Sequence, residues 1–161
     1  MLISLNRMVG MPVIWWGENV GSVERAIPDV ESGRLDGLVV RRGIGWARWA
    51  AGENVILVGE KCVILAKKPE HMPQRAKGDM LRVFLTTGEC AGEVADVIIH
   101  GDSLALAALE ICQGPFCRLI GKRGYAAEFH RNANGEIGEI VIPHLLSWTQ
   151  LVKQLGEEDE K

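Results

Sequence analysis

The 161-residue chain has little net charge, few phenyl rings and no long apolar run, and each shortage excludes a class of function. Its 18 Lys and Arg against 21 Asp and Glu leave a formal charge of −3, which supplies no overall attraction to nucleic acid or to an acidic membrane surface. No stretch reaches the roughly 20 consecutive apolar residues that cross a bilayer, so no membrane span is expected. The first sixteen residues are apolar, but Asn6 and Arg7 interrupt them and Gly10 and Pro12 break any helix. With no small-residue cleavage site after them, they read as a strand-rich start rather than an export signal.

Catalytic signatures are missing as well. There is no nucleophile elbow, no H-E-x-x-H pair and no phosphate loop, so no enzyme is expected. Cys62, Cys90, Cys112 and Cys117 lie in apolar or turn contexts with no export signal, and read as reduced thiols of a cytoplasmic protein. Cys112-x4-Cys117, with His100 and His130 nearby, offers zinc-binding residue types without the C-x2-C spacing or a second pair. Neither a metal nor a cofactor is expected.

What is present is a repeat. Residues 17–43 align without a gap to residues 88–114 at a constant offset of 71. Gly17/Gly88, Glu18/Glu89, Gly21/Gly92, Val23/Val94, Ile27/Ile98, Ser32/Ser103, Leu35/Leu106, Leu38/Leu109 and Gly43/Gly114 are identical. That is nine matches in 27 positions, where unrelated chains would share roughly two. The spacing divides the chain into a first module at 1–66, a linker at 67–78, a second, degenerate module at 79–142, and a C-terminal segment at 143–161.

Strand signals dominate both modules. The residues from Met8 to Trp16 form a nearly continuous apolar run, and a second strand follows from Val20 to Ile27. Gly21 falls on the apolar side of that strand, where missing bulk signals a bend or a close backbone approach. Pro28-Asp29-Val30-Glu31-Ser32-Gly33 is turn chemistry, and strands are expected at 35–41, 46–50, 55–58 and 62–65. In the second module strands are expected at 80–87, 91–99, 104–112, 116–120, 125–131 and 137–142, with turns at 121–124 and 132–135. Residues 105–110 favour helix by propensity, but the ungapped repeat assigns them to a strand. Leu145, Leu146, Trp148, Leu151, Val152 and Leu155 recur at helical spacing, predicting an amphipathic helix over 143–155 that ends near Gly156, with 157–160 as a solvated acidic end. The expected fold is all-β: two tandem small β-barrels with a C-terminal helix.

The pattern Gly17-x-x-Val20-Gly21-x-Val23-x-x-x-Ile27, then Asp29-x-Glu31-Ser32-Gly33, then Leu35-x-Gly37-Leu38-Val39-Val40, resembles the PRC-barrel domain. The second module keeps Gly88, Gly92, Val94, Asp96 and Leu109 of it, with no clear copy of the closing strands. The resemblance implies a small β-barrel used for protein contact and assembly, in a family with sporulation-associated bacterial members, and hence a non-catalytic adaptor with a protein partner; a homodimer is compatible.

The residues that could carry such contacts are aromatic and basic. Trp15 and Trp16 are adjacent in an expected strand and must point to opposite faces, as must Trp49 relative to Trp46 and Arg48. Trp15, Trp16, Trp46, Arg48 and Trp49 are therefore the candidate partner-binding residues, against the alternative that a facing module or helix covers them. A second class of function is an RNA- or ribosome-associated factor making weak contacts through Arg41, Arg42, Lys122 and Arg123, with Arg48 alongside them. Gly121-Lys122-Arg123-Gly124 imitates the nucleic-acid-clamping G-x-x-G loop but lacks the flanking helices, and reads as a basic turn.

Overall fold

The computed structural model describes residues 1–74, 81–114, 117–120, 122–132 and 138–159. Residues 75–78 of the expected linker, Met80, Phe116, Gly121, residues 133–135 of the expected turn, Ile137 and Glu160 of the acidic end lie outside them. The chain is mostly β, with 53% strand and 13% helix arranged as two curled sheets and a C-terminal helix, so the all-β expectation holds at the level of class. It divides into two units, one of residues 1–78 with 98–106, the other of 79–97 with 107–161. The hairpin tip at 98–106, which belongs to the second repeat by sequence, is thus part of the first unit.

In the first unit, β1 (Leu2–Ser4) leads into a single helical turn, α1 (Leu5–Met8), where the expected strand from Met8 would begin. Ser4 Oγ accepts from the Arg7 N–H at 3.4 Å and opens that turn, and Gly10 at φ 88° ends it. β2 (Pro12–Trp15), β3 (Glu18–Asp29), β4 (Arg34–Arg41), β5 (Arg48–Ala51), β6 (Val55–Val58), β7 (Val63–Leu65) and β8 (Glu70–His71) then pair in the order β6-β7-β2-β3-β4-β5-β8. All neighbours are antiparallel except β2 and β7, which run parallel with Val13 opposite Val63. Met8, Val13, Val23, Leu38, Val40, Val58 and Val63 are buried at 0 or 1% exposure and form the core of this unit.

The second unit carries β9 (Arg82–Leu85), β10 (Cys90–His100), β11 (Leu106–Cys112), α2 (Cys117–Ile120), β12 (Arg123–Ala126), β13 (His130–Arg131), β14 (Glu139–Ile142) and α3 (Trp148–Asp159). Its sheet runs β13-β14-β9-β10-β11-β12, with β14 parallel to β9. Strand for strand this repeats β6-β7-β2-β3-β4-β5, including the single parallel pair. The strands equivalent to β6 and β7, of which the sequence shows no clear copy, are β13 and β14, lying within the strands expected at 125–131 and 137–142. The inward pair Ile140–Val83 stands where Val63–Val13 stands in the first sheet.

The repeated glycine explains why the copies share a backbone. Gly21 (φ 145°) and Gly92 (φ 129°) both sit at a bulge, where Val20 or Ala91 is the extra residue. A Cβ at Gly21 would lie 2.7 Å from the Arg41 carbonyl, and one at Gly92 only 2.1 Å from the Cys112 carbonyl, the equivalent atom of the second copy. The close approach read from Gly21 is therefore present twice. The hairpin turns differ: two residues, Trp16 and Gly17, separate the paired Trp15 and Glu18, whereas three separate Leu85 from Glu89.

Within the first unit the two hairpin tips also meet. The Leu35 N–H donates to the Leu104 carbonyl at 3.0 Å, the Leu106 N–H donates to the Gly33 carbonyl at 2.8 Å, and Arg34 bridges Ala105. Since 104, 105 and 106 are the repeat equivalents of 33, 34 and 35, each tip meets the other with its own matching residues, as in a twofold contact. Gly33 (φ 68°) and Leu104 (φ 60°) share the left-handed turn conformation, and Leu104 is buried.

Several expectations at the C-terminal end are corrected. Residues 117–120 form a helical turn, not a strand, and the strand expected over 125–131 is two strands, β12 and β13. The helix starts at Trp148 rather than near Pro143, because Ser147 and Gln150 form a capping box: Ser147 N–H donates to Gln150 Oε1 at 2.8 Å and Gln150 N–H to Ser147 Oγ at 3.3 Å. It also continues through Gly156. Ahead of it, Leu146 exchanges two backbone hydrogen bonds with Tyr125 on the outer edge of β12, much as β8 covers the outer edge of β5. The four-thiol expectation is corrected too: Cys112 and Cys117 form a disulfide, while Cys62 and Cys90 are free. Gly114 (φ 83°) turns the chain, and the Cys117 N–H donates to its carbonyl at 3.3 Å, which folds Cys117 back to Cys112.

Candidate interaction surface

The tryptophans separate into packing residues and exposed ones. Trp15 closes β2, half-buried, with the Lys68 ammonium 5.9 Å from its ring centroid. Its Nε1 is buried with no hydrogen-bond partner among the described residues. Trp49, also half-buried, lies over Gly37, where a Cβ would come within 2.3 Å of the ring.

Trp16 and Trp46 do no such packing. Trp16 is not a strand residue: it is the first turn residue at φ 50°, followed by Gly17 at 77°, the type I′ pattern that suits a two-residue hairpin. It is 83% exposed. A bulky side chain at positive φ costs about 1 kcal/mol, which Asn or Gly there would largely avoid. Trp46 precedes β5, in the β4–β5 loop, and is 89% exposed. Beside it Ile44, between Gly43 and Gly45, is fully exposed, a residue that the sequence reading passed over. A large apolar side chain between two turn glycines was the available signal.

Arg41 ties this loop to the sheet. It makes a two-pronged ion pair with Glu24 on β3, and its Nη1 donates to the Gly45 carbonyl at 2.9 Å. The hydrogen bond from Arg41 holds the Glu24 carboxyl below its ordinary value, opposed by partial desolvation and helped less by the charges of Arg41 and Arg25. Arg48 faces His71 of β8, Nη1 to Nδ1 at 3.4 Å. Among the described residues neither Arg48 nor Arg42 has a carboxylate partner. An open cleft of about 650 Å³ is lined by Arg41, Trp46, Ala47, Arg48, His71 and Met72. A second, of about 520 Å³, runs from Arg41, Arg42 and Gly43 to the bulge at Gly21.

The basic candidates of the second unit are placed differently. Arg123 opens β12 and donates to Glu110 Oε1 at 2.7 Å, and Tyr125 reaches the same oxygen at 3.5 Å. Glu110 is 8% exposed, so Arg123 serves as its counter-charge. Lys122 is exposed. The structure thus groups Trp46 and Arg48 with Arg41 and Arg42, and leaves Trp15 and Trp49 as packing residues. Among the described residues no three of His, Cys, Asp and Glu converge as metal ligands, and no helix is long and apolar enough to cross a membrane. No protein-family model matches the chain, and no curated protein matches it.

Proposed function

We propose that the chain is a tandem of two PRC-barrel-like modules that works as a non-catalytic interaction or assembly component, with the first module making the contact. The observation that carries this reading is the exposed pair Trp16 and Trp46, with Ile44, on loops whose conformations the fold does not need them for. Tryptophan and arginine are the residues that most often dominate interface energies, and backbone strain retained under an exposed tryptophan points to use rather than packing. The repeated strand order and bulge glycine support the module assignment. The RNA-binding alternative has less support, since two of its four guanidinium and ammonium candidates, Arg41 and Arg123, are spent on carboxylates.

The test compares the intact tagged chain with a Trp16→Asn, Trp46→Ser double variant. Trp16→Asn relieves strain and should raise stability by about 1 kcal/mol. The variant should therefore fold at least as well as the parent yet lose a nuclease-resistant partner that the parent recovers from lysate. Recovery of the same partner by both proteins overturns the reading; recovery that vanishes with nuclease moves it to RNA.

A further inference from the structure

The β4–β5 loop face groups three guanidiniums, of which Arg41 alone has a carboxylate partner among the described residues. Arg41 is neutralised by Glu24 and borders both clefts, with Arg42 lining one and Arg48 the other. The two guanidiniums without a carboxylate thus flank one internally balanced ion pair, and the exposed Ile44 and Trp46 project from the loop that joins them. Arg48 is held in place by β8: His71 pairs with it in register and offers only an imidazole nitrogen. A guanidinium fork so placed has most of its donors open, in a geometry suited to carboxylate.

We propose that this face binds an acidic protein segment bearing a large apolar side chain, with Arg42 and Arg48 taking its carboxylates and Ile44 with Trp46 taking the apolar anchor. The inference rests on the interaction reading above and adds the chemistry of the partner. Charge complementarity selects an acidic occupant, and the exposed Trp46 and Ile44 require an apolar one. Nucleic acid fits less well, because two free guanidiniums on a chain of net charge −3 neutralise few phosphates.

The experiment is selection of a random displayed peptide library on the intact chain, followed by retesting of the retained peptides on an Arg42→Ser, Arg48→Ser variant and on Trp46→Ala. Both variants replace exposed side chains, and their unfolding midpoints serve as the folding control. The retained peptides should be enriched in Asp and Glu beside Leu, Phe or Trp, and each variant should lose about tenfold or more in affinity, the size of an interface hot spot. Enrichment of neutral or basic peptides, retention of none, binding indifferent to the arginine variant, or displacement by polyuridylate each overturns the proposal. The adaptor reading has a separate fate, since it fails if Trp16→Asn, Trp46→Ser leaves partner recovery unchanged or if recovery vanishes with nuclease.

Discussion

The two copies have the same strand order and different surfaces. β2-β3-β4 and β9-β10-β11 share a bulge glycine, a buried leucine (Leu38, Leu109) and one parallel neighbour. In the first copy the outer features are exposed: Trp16 at a hairpin tip, Ile44 and Trp46 on a loop, Arg42 and Arg48 without carboxylates among the described residues. In the second, the position equivalent to Val39 is the buried Glu110, and Arg123 and Tyr125 both reach its carboxylate. Trp148 in turn packs against Tyr125, with ring centroids 5.2 Å apart. The copies keep in common what the backbone requires and differ in what their surfaces display.

If the cores are equivalent, equivalent cuts should cost alike. Leu38→Ala and Leu109→Ala, both at fully buried positions, should each destabilise by about 3 kcal/mol in urea titrations, and a twofold disparity would show that the copies no longer share a core. The bulge should separate them. Gly21→Ala and Gly92→Ala both impose a side chain on a positive φ, at about 2 kcal/mol. The Gly92 variant should cost more, because its Cβ would meet a carbonyl at 2.1 Å rather than 2.7 Å. Equal losses would mean that the Cys112 end of β11 yields as easily as the Arg41 end of β4.

Much of this was legible in the residues. The offset of 71 carried the strand assignment of 106–112 against its helical propensity, and Gly21 announced its bulge. Strand character was legible at β14, expected at 137–142, but its role as a closing strand was not: β14 is recognised by its parallel partner β9, a pairing that leaves no local pattern, and β13 is two residues long. Trp46 and Arg48 were read as members of one strand face; the Gly43–Gly45 turn delays β5 to Arg48 and puts Trp46 on a loop. The disulfide was hidden for a similar reason, since a five-residue separation closes only through the left-handed Gly114. The pairing of hairpin tips depends on contacts 71 residues apart, beyond any local signal.

The group around Glu110 has a titration signature. Tyr125 is the chain's one tyrosine, so phenolate absorbance reports it alone. Burial first, then the Glu110 carboxylate, push its hydroxyl above the ordinary value of 10.0. The folded state therefore prefers the protonated phenol: the associated stabilisation is complete below pH 10.0 and is lost as pH rises through the folded value. Glu110→Gln should bring the midpoint part of the way down, leaving the burial contribution. A native midpoint at or below 10.0 would mean that the Glu110, Arg123 and Tyr125 group is open to water.

The smallest effect belongs to the first copy and sharpens the contrast. Glu24 is exposed, and its hydrogen bond from Arg41 lowers its pKa below 4.5 in the folded state. Its contribution is present above pH 4.5 and is lost as pH falls through the folded value, the reverse of the Tyr125 case. Exposed pairs of this kind are screened by salt, so the stability change should be small and should shrink further as ionic strength rises. The loop should respond more than the fold, because Arg41 also holds the Gly45 carbonyl and thereby the segment that carries Ile44 and Trp46. Glu24→Gln should therefore leave the unfolding midpoint nearly unchanged while broadening the amide resonances of 43–46. Unchanged loop resonances in that variant would place the order of the loop in its glycine turns, with the ion pair as a passive neighbour.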